Sequence, residues 1–312
     1  MNKIIQGWTD THTEDFHNSI LTFQHKLNET GLFTDEALIA LLEKHPHDCL
    51  DVCTMDATGD PKYPNRFRTG DFRDATGKTL LEAAKAGAVW INVRKAMNMH
   101  DDYEAVLNKM YEDLSRETGI KAFNANGGIL ISSPIAKVPY HFDKTETILW
   151  HVRGQKRLYL YPETEEFISD RVYEMALTDY RVDDIPYKPE FEASAQIFDL
   201  DENQAITWPL NSPHRVDNRT FCVSVTTEYS TSESARKNSA MLTNATLRHR
   251  LGMEPSYRND SPNTRHIKSI FGMALKKAGA IPTHFKKDLV TFKIDPSQDG
   301  YIVDTPPYER DF

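Results

Sequence analysis

Three cysteines in 312 residues, Cys49, Cys53 and Cys222, are too few for a disulfide framework and odd in number. Their scarcity suits a reducing compartment. Cys49 and Cys53, with His45 and His47 just upstream, have half the makings of a zinc site. No second pair follows to complete a tetrahedron, so ordinary packing along one helix face accounts for them. Long apolar runs are missing as well: none approaches the ~18–20 residues of a membrane-spanning helix. The opening stretch, MNKIIQGWTDTHTED, has no apolar segment and no small-residue cleavage site. These absences predict a cytoplasmic protein without a membrane partner.

Positive charge is in deficit, with 37 Lys and Arg against 46 Asp and Glu and a net charge of −9. An acidic surface repels phosphate backbones. The densest basic run, Arg236-Lys237 to Arg248-His249-Arg250, is broken by polar residues and reads as a solvated helical face. Nucleic acid is therefore not an expected partner. Glycine fingerprints are lacking too. Gly77-Lys78-Thr79 resembles the end of a phosphate-binding loop, but Phe72 stands where the first glycine belongs. Neither a dinucleotide fingerprint nor a serine nucleophile elbow occurs. His12-Thr13-Glu14 has the spacing of a metal pair, yet it precedes a helix and reads as a cap.

What the chain does contain divides at Gly119. Before it the periods are largely helical. Phe16, Ile20, Phe23 and Leu27 suggest one helix, and Thr34-Asp35-Glu36 opens another that Pro46 stops. Lys78 to Ala86 and Tyr103 to Arg116 are two more, with strand and loop over 50–75 and a strand at Val89–Val93. After Gly119 the runs become short and β-rich: Gly128–Ser132, Thr147–Val152, Arg157–Tyr161, Ala195–Asp199 and Phe221–Tyr229. Gly, Pro, Asn and Asp turns separate them, as in a sandwich or barrel. An acidic insertion over 163–194 lies between strands, where substrate loops usually grow. From Ser232 the pattern is helical, with Ile267, Ile270, Phe271, Met273 and Leu275 as its apolar cluster.

The chemistry concentrates in Pro139-Tyr140-His141-Phe142-Asp143. A histidine and an aspartate two apart on a strand share a face. His214, in the turn Trp208-Pro209-Leu210-Asn211-Ser212-Pro213-His214, is the best candidate to complete a triangle on one metal. Two imidazoles and a carboxylate on one face of an octahedral ion leave three positions open, which suits non-haem iron(II). Lys156 follows on the next strand. Facing inward, its ammonium would require an anionic partner; Arg153, Lys156 and Arg157 cannot all face inward, and an outward Lys156 is the alternative. Tyr140, Trp150, Tyr159 and Trp208 are aromatics near the site, and core packing is their expected role.

Residues 129–162 resemble the JmjC-like, cupin-like 2-oxoglutarate oxygenases, in the group around the asparaginyl hydroxylase of hypoxia-inducible factor. Pro139, His141, Asp143, Thr147, Gly154, Lys156, Arg157 and Pro162 match that group's pattern without gaps, and His214 matches its distal ligand. The likeness spans roughly residues 120–230. One departure is Val138, where the family carries a threonine that contacts the cosubstrate. Ser133, Asn124, Asn126 and Thr147 are candidates to replace it.

The resemblance implies a mainly β fold with flanking helices and a double-stranded β-helix (cupin, jelly-roll) core. Residues 1–119 form a mixed α/β region packing on the core, 120–230 the barrel, and 231–312 a C-terminal helical segment. It implies iron(II) on His141, Asp143 and His214, 2-oxoglutarate on Lys156 and Thr147, and O2 as oxidant. The expected activity is hydroxylation of a protein or peptide side chain or a small polar metabolite. A homodimer through the C-terminal helices follows by analogy. A metal-binding cupin with other chemistry and a catalytically inactive binding module are the alternatives.

Overall fold

The structure is a computed structural model describing residues 3–57, 62, 64–87, 89–179, 185–281 and 288–312. Among these residues fifteen strands run in chain order. They are β1 (Ile5–Gln6), β2 (Leu21–His25), β3 (Leu50–Ala57), β4 (Asn65–Asp71), β5 (Trp90–Val93), β6 (Phe123–Ser132), β7 (Lys137–His141) and β8 (Glu146–Arg153). The rest are β9 (Lys156–Leu160), β10 (Gln196–Leu200), β11 (Gln204–Thr207), β12 (His214–Asn218), β13 (Cys222–Ser230), β14 (Leu289–Ile294) and β15 (Ile302–Glu309). The helices are α1 (Asp10–Asp15), α2 (Asp35–Lys44), α3 (Gly77–Lys85), α4 (Ala96–Met99), α5 (Asp101–Thr118), α6 (Asp170–Asp179), α7 (Ser232–Leu251) and α8 (Pro262–Lys277).

Two sheets result. The larger has the order β1-β2-β11-β8-β13-β6-β5-β3-β4-β14-β15, the smaller β10-β9-β12-β7. The strands β6 to β13 are shared equally between them and pair antiparallel, which makes the expected double-stranded β-helix. Alternation builds its core. Leu149 and Ile206 from the large sheet meet Leu158, Leu160 and Val216 from the small one in a single cluster. The intervening residues, Ile129, Ile131, Ile148, Trp150, Val223 and Val225, point the other way and pack with residues of α2, α3 and α5. Both faces of the large sheet are thus covered, which explains why β8 is buried along nearly its whole length.

Gly154 makes the turn from β8 to β9 at φ 90°, and a Cβ there would collide with the Phe221 carbonyl oxygen. Gly154→Ala should lower stability by more than about 1 kcal/mol, read as a drop in urea midpoint at constant m.

Several expectations require correction. Phe16, Ile20, Phe23 and Leu27 do not share a helix: α1 ends before Phe16, and β2 follows with Phe23 and His25 buried between exposed neighbours. A spacing of four is even, so Phe23 and Leu27 satisfy a strand's period as well as a helix's, and pairing with β11 decides the matter. The C-terminal part is helical only to Lys277. Beyond it β14 pairs in parallel with β4, and β15 pairs with β14 at the sheet's edge. Pro306 and Pro307 stand in that edge strand, where a missing N–H costs least. Cys49 lies in a 3-10 turn and Cys53 in β3 rather than on a helix, and neither forms a disulfide.

The insertion 163–194 carries α6 and packs Phe167, Ile168, Tyr173 and Phe191 onto Tyr140, Phe142 and Tyr161 at the outer face of the small sheet. Its acids are not simply solvated. Glu163 pairs with Lys237 at 3.1 Å and Arg258 at 2.8 Å, and Glu174 with Arg248 at 2.7 Å. The basic run on α7 and the acidic insertion are therefore partners, a complementarity that neither segment reveals alone. Asp183 and Asp184 lie outside the described residues.

Candidate metal centre

The last residue of β7 and the first of β12 face each other: His141 and His214 are cross-strand partners. Their rings lie 4.1 Å apart between centroids. Asp143 sits just beyond β7. The alternation continues through the buried Phe142, which turns into the core of the insertion, so the Asp143 carboxylate returns to the His141 side. His214 Nε2 is 3.6 Å from Asp143 Oδ2, and one donor atom from each of the three residues lies within 4.8 Å of the others.

The two rings are oriented from behind. His141 Nδ1 bonds the Pro139 carbonyl at 2.8 Å, and His214 Nδ1 bonds the Ser212 carbonyl at 3.1 Å. A carbonyl can only accept, so each Nδ1 carries the proton and each Nε2 presents a lone pair. Burial, and then the His141 ring, hold His214 down at about 4, which keeps it neutral and able to ligate. Trp208 backs the His214 ring at 4.6 Å. The set can hold one borderline divalent ion and leave a face open.

Lys156 begins β9 and faces inward with Leu158 and Leu160, only 3% exposed. Arg157 turns outward onto Asp199, and Arg153 onto Asp35. Within the described residues no hydrogen bond or ion pair is made by the Lys156 ammonium, and burial pushes its pKa down. Its cross-strand neighbour Asn218 has a buried Oδ1 that also lacks a partner there. A buried, unpaired cation is costly in the absence of an anion. This floor therefore fits a carboxylate-bearing ligand.

Thr147 lies on the barrel face of β8, its hydroxyl donating to the Thr145 carbonyl at 3.3 Å. Val138 joins the apolar cluster and offers no hydrogen bond. Of its candidate substitutes, Asn126 stands opposite Glu228 on the barrel face, whereas Asn124 is exposed and Ser133 follows the far end of β6. Among the four aromatics, Trp208 touches the ligand set, while Trp150 packs on the helix side of the sheet.

Glu228 is a site residue that motif reading missed. It pairs across the sheet with Thr147 and Asn126, on the barrel face of β13, and its side chain reaches solvent. Its low-dielectric surroundings, and then the charge of Asp143, raise its carboxyl to about 7. The alternation from Val223 and Val225 was the available signal: every second residue after Ser224 must face the barrel.

Buried imidazoles set an acid limit. His25 and His214 are held by burial at about 4 and His151 at about 3. Unfolded, each would titrate near 6.5, so below that pH the unfolded chain binds protons that the fold refuses. Each ring then removes about 1.4 kcal/mol per pH unit. Glu146 and Glu228, both raised by low-dielectric surroundings to about 7, act in the opposite sense down to about 4.5, so two carboxyls oppose three rings. The metal-free protein should lose urea resistance from pH 6.5 to 4.5, and faster below. A flat midpoint across that range would show that the rings protonate in place.

Among the described residues no helix is long and apolar enough to cross a membrane. No protein-family model and no curated protein matches the sequence. Solved structures do share its fold. YcfD of E. coli superposes with a TM-score of 0.52 at 12% identity, over 89% of this chain and 70% of that one. The ribosomal oxygenase YcfD from E. coli in complex with cobalt and 2-oxoglutarate gives 0.50 at 12% identity, over 87% and 67%. At such identity the likeness establishes the fold.

Proposed function

We propose that this chain is an iron(II)- and 2-oxoglutarate-dependent oxygenase that hydroxylates its substrate. The observation that carries the reading is the convergence of His141, Asp143 and His214, both rings tied at Nδ1, in a barrel whose inward-facing Lys156 is buried with no hydrogen-bond or ionic partner among the described residues. The neighbour of the same fold that was solved with cobalt and 2-oxoglutarate supports it. Bound iron(II) would supply oxygen activation, with 2-oxoglutarate as the two-electron donor.

This chain's own residues do the rest. His141, Asp143 and His214 hold the ion on one face, and the carbonyls of Pro139 and Ser212 orient the imidazoles. Lys156 receives the far carboxylate of the cosubstrate, with Asn218 beside it and Thr147 nearer the metal. Leu149, Leu158 and Val216 form an apolar layer of the barrel interior that would exclude water around the cosubstrate. Glu228, exposed on the barrel face of β13 opposite Thr147, favours a polar or cationic group on the substrate.

A protein side chain is the favoured substrate, since the similar structure is that of a ribosomal oxygenase. A cytoplasmic location rests on the sparse cysteines. A homodimer is supported by Ile267, Ile270, Phe271 and Met273 on α8, which are 67%, 52%, 50% and 47% exposed.

The test is anaerobic titration of the metal-free protein with iron(II) and 2-oxoglutarate, followed by a succinate assay in air. A visible charge-transfer band and succinate formation are expected. Iron binding without the band would indicate a cupin of other chemistry, and no iron binding would end the proposal.

A further inference from the structure

The loop that carries Asp143 is only four residues long, 142–145, and its backbone is held from outside the ligand set. The Asp143 carbonyl accepts from Asn211 Nδ2 at 2.7 Å, and the Lys144 carbonyl accepts from Asn238 Nδ2 at 2.8 Å. These two amides come from separate places: Asn211 from the turn that leads into His214, Asn238 from α7. Tyr173, on α6 of the insertion, joins the second of them: its hydroxyl donates to Asn238 Oδ1. Tyr173 and Asn211 are buried at 3% and 1% exposure.

The amide assignment is forced by this network, since a flipped Asn211 would set its oxygen against the Asp143 carbonyl. Asn211 also occupies the left-handed region at φ 68°, which asparagine tolerates and alanine does not. It therefore does two things at once. Its backbone turns the chain toward His214, and its amide ties that turn to the loop of the carboxylate.

We infer that Asn211, Asn238 and Tyr173 are positioning residues for the Asp143 ligand, and that the insertion, through Tyr173, supports the metal centre as well as covering the small sheet. The inference rests on the reading of His141, Asp143 and His214 as metal ligands. Three donors on two strand ends and a loop must keep a fixed separation to chelate one ion. The strand ends are locked by their pairing, so the loop is the element with freedom to drift. Partners that orient a ligand from outside typically carry about 10–100-fold in metal affinity.

Cobalt(II) is the probe, read by calorimetry and by its d–d absorbance, on the full chain. Asn211→Gly keeps the left-handed backbone and deletes the amide; Tyr173→Phe deletes one hydroxyl and keeps the packing. The expected result is a 10–100-fold weaker Kd with a changed d–d spectrum for Asn211→Gly, and a smaller loss in the same direction for Tyr173→Phe. Leu38→Ala, in the helix-side core, should lower the melting temperature and leave Kd and spectrum unchanged. If both site variants match the wild-type Kd and spectrum, whatever their melting temperatures, the residues only pack and the inference fails. Should Asn211→Gly not fold, Tyr173→Phe decides by the same criterion. Wild-type protein that binds no cobalt(II) would instead overturn the metal reading, and this inference with it.

Discussion

Lys156→Met makes the metal-free protein melt at a higher temperature and weakens its binding of 2-oxoglutarate. The two effects have opposite signs because the lysine is useful only when the ligand is present. Lys156 is 3% exposed and has no ionic partner among the described residues, so without an anionic ligand the desolvation of its ammonium is uncompensated. Methionine has nearly the same length and no charge, and replacing buried ionic groups by apolar ones of similar volume stabilises by about 1–4 kcal/mol. A rise of a few degrees in melting temperature is expected. The bound dicarboxylate reverses the balance. Removing one partner of a buried charge pair costs about 2–5 kcal/mol, so 2-oxoglutarate affinity should fall by about 30-fold or more. Calorimetry on the zinc-loaded proteins measures this without turnover. Misfolding cannot imitate a variant that is both more stable and blind to the cosubstrate. Unchanged affinity in Lys156→Met would remove Lys156 from the cosubstrate site.

His141→Ala and His214→Ala should each abolish measurable iron(II) binding, a larger loss than the about 10–100-fold carried by residues that only orient a ligand. The readout is a thermal shift. An ion at 100 times its Kd stabilises the folded chain by about 2.7 kcal/mol, and a variant that does not bind gains nothing. His141 is the cleaner position. It is only partly buried and its ring is tied by one carbonyl, so truncation leaves little cavity. His214 is packed between Trp208 and His141, and its loss also costs core contacts. A metal-dependent rise in melting temperature that survives in both variants would mean that the ion binds elsewhere.

Much of the site was legible because its signals are local. His141 and Asp143 are two apart, Gly154 and Lys156 follow at hairpin distance, and the strand period says which residues share a face. The inward course of Lys156 followed from the same alternation, with Arg153 and Arg157 left to outward partners. Most barrel strands after Gly119 were readable from β-rich runs between turn residues; β11 was not, and neither was β12, whose first residue His214 reads as part of a turn. Phe16 to Leu27 misled because its four-residue steps fit two periods and only its three-residue step is helical, and β14 and β15 were hidden behind two long polar helices.

By itself the sequence determined most of the barrel's strands, though not β11 or β12, together with the inward lysine and the candidate ligands, since each depends on neighbours only a few positions apart. Tertiary structure alone decided which residues stand behind and around the metal site. Glu228 faces Asp143 from 85 positions away, and the Asn211, Asn238 and Tyr173 set meets at one loop from three elements. Whether the acids of the insertion would be solvated or paired with the basic face of α7 was also settled there. The reason is physical: a hydrogen bond or an ion pair acts over about 3 Å, and no periodicity along a chain records which distant segments the packing of two sheets will bring that close.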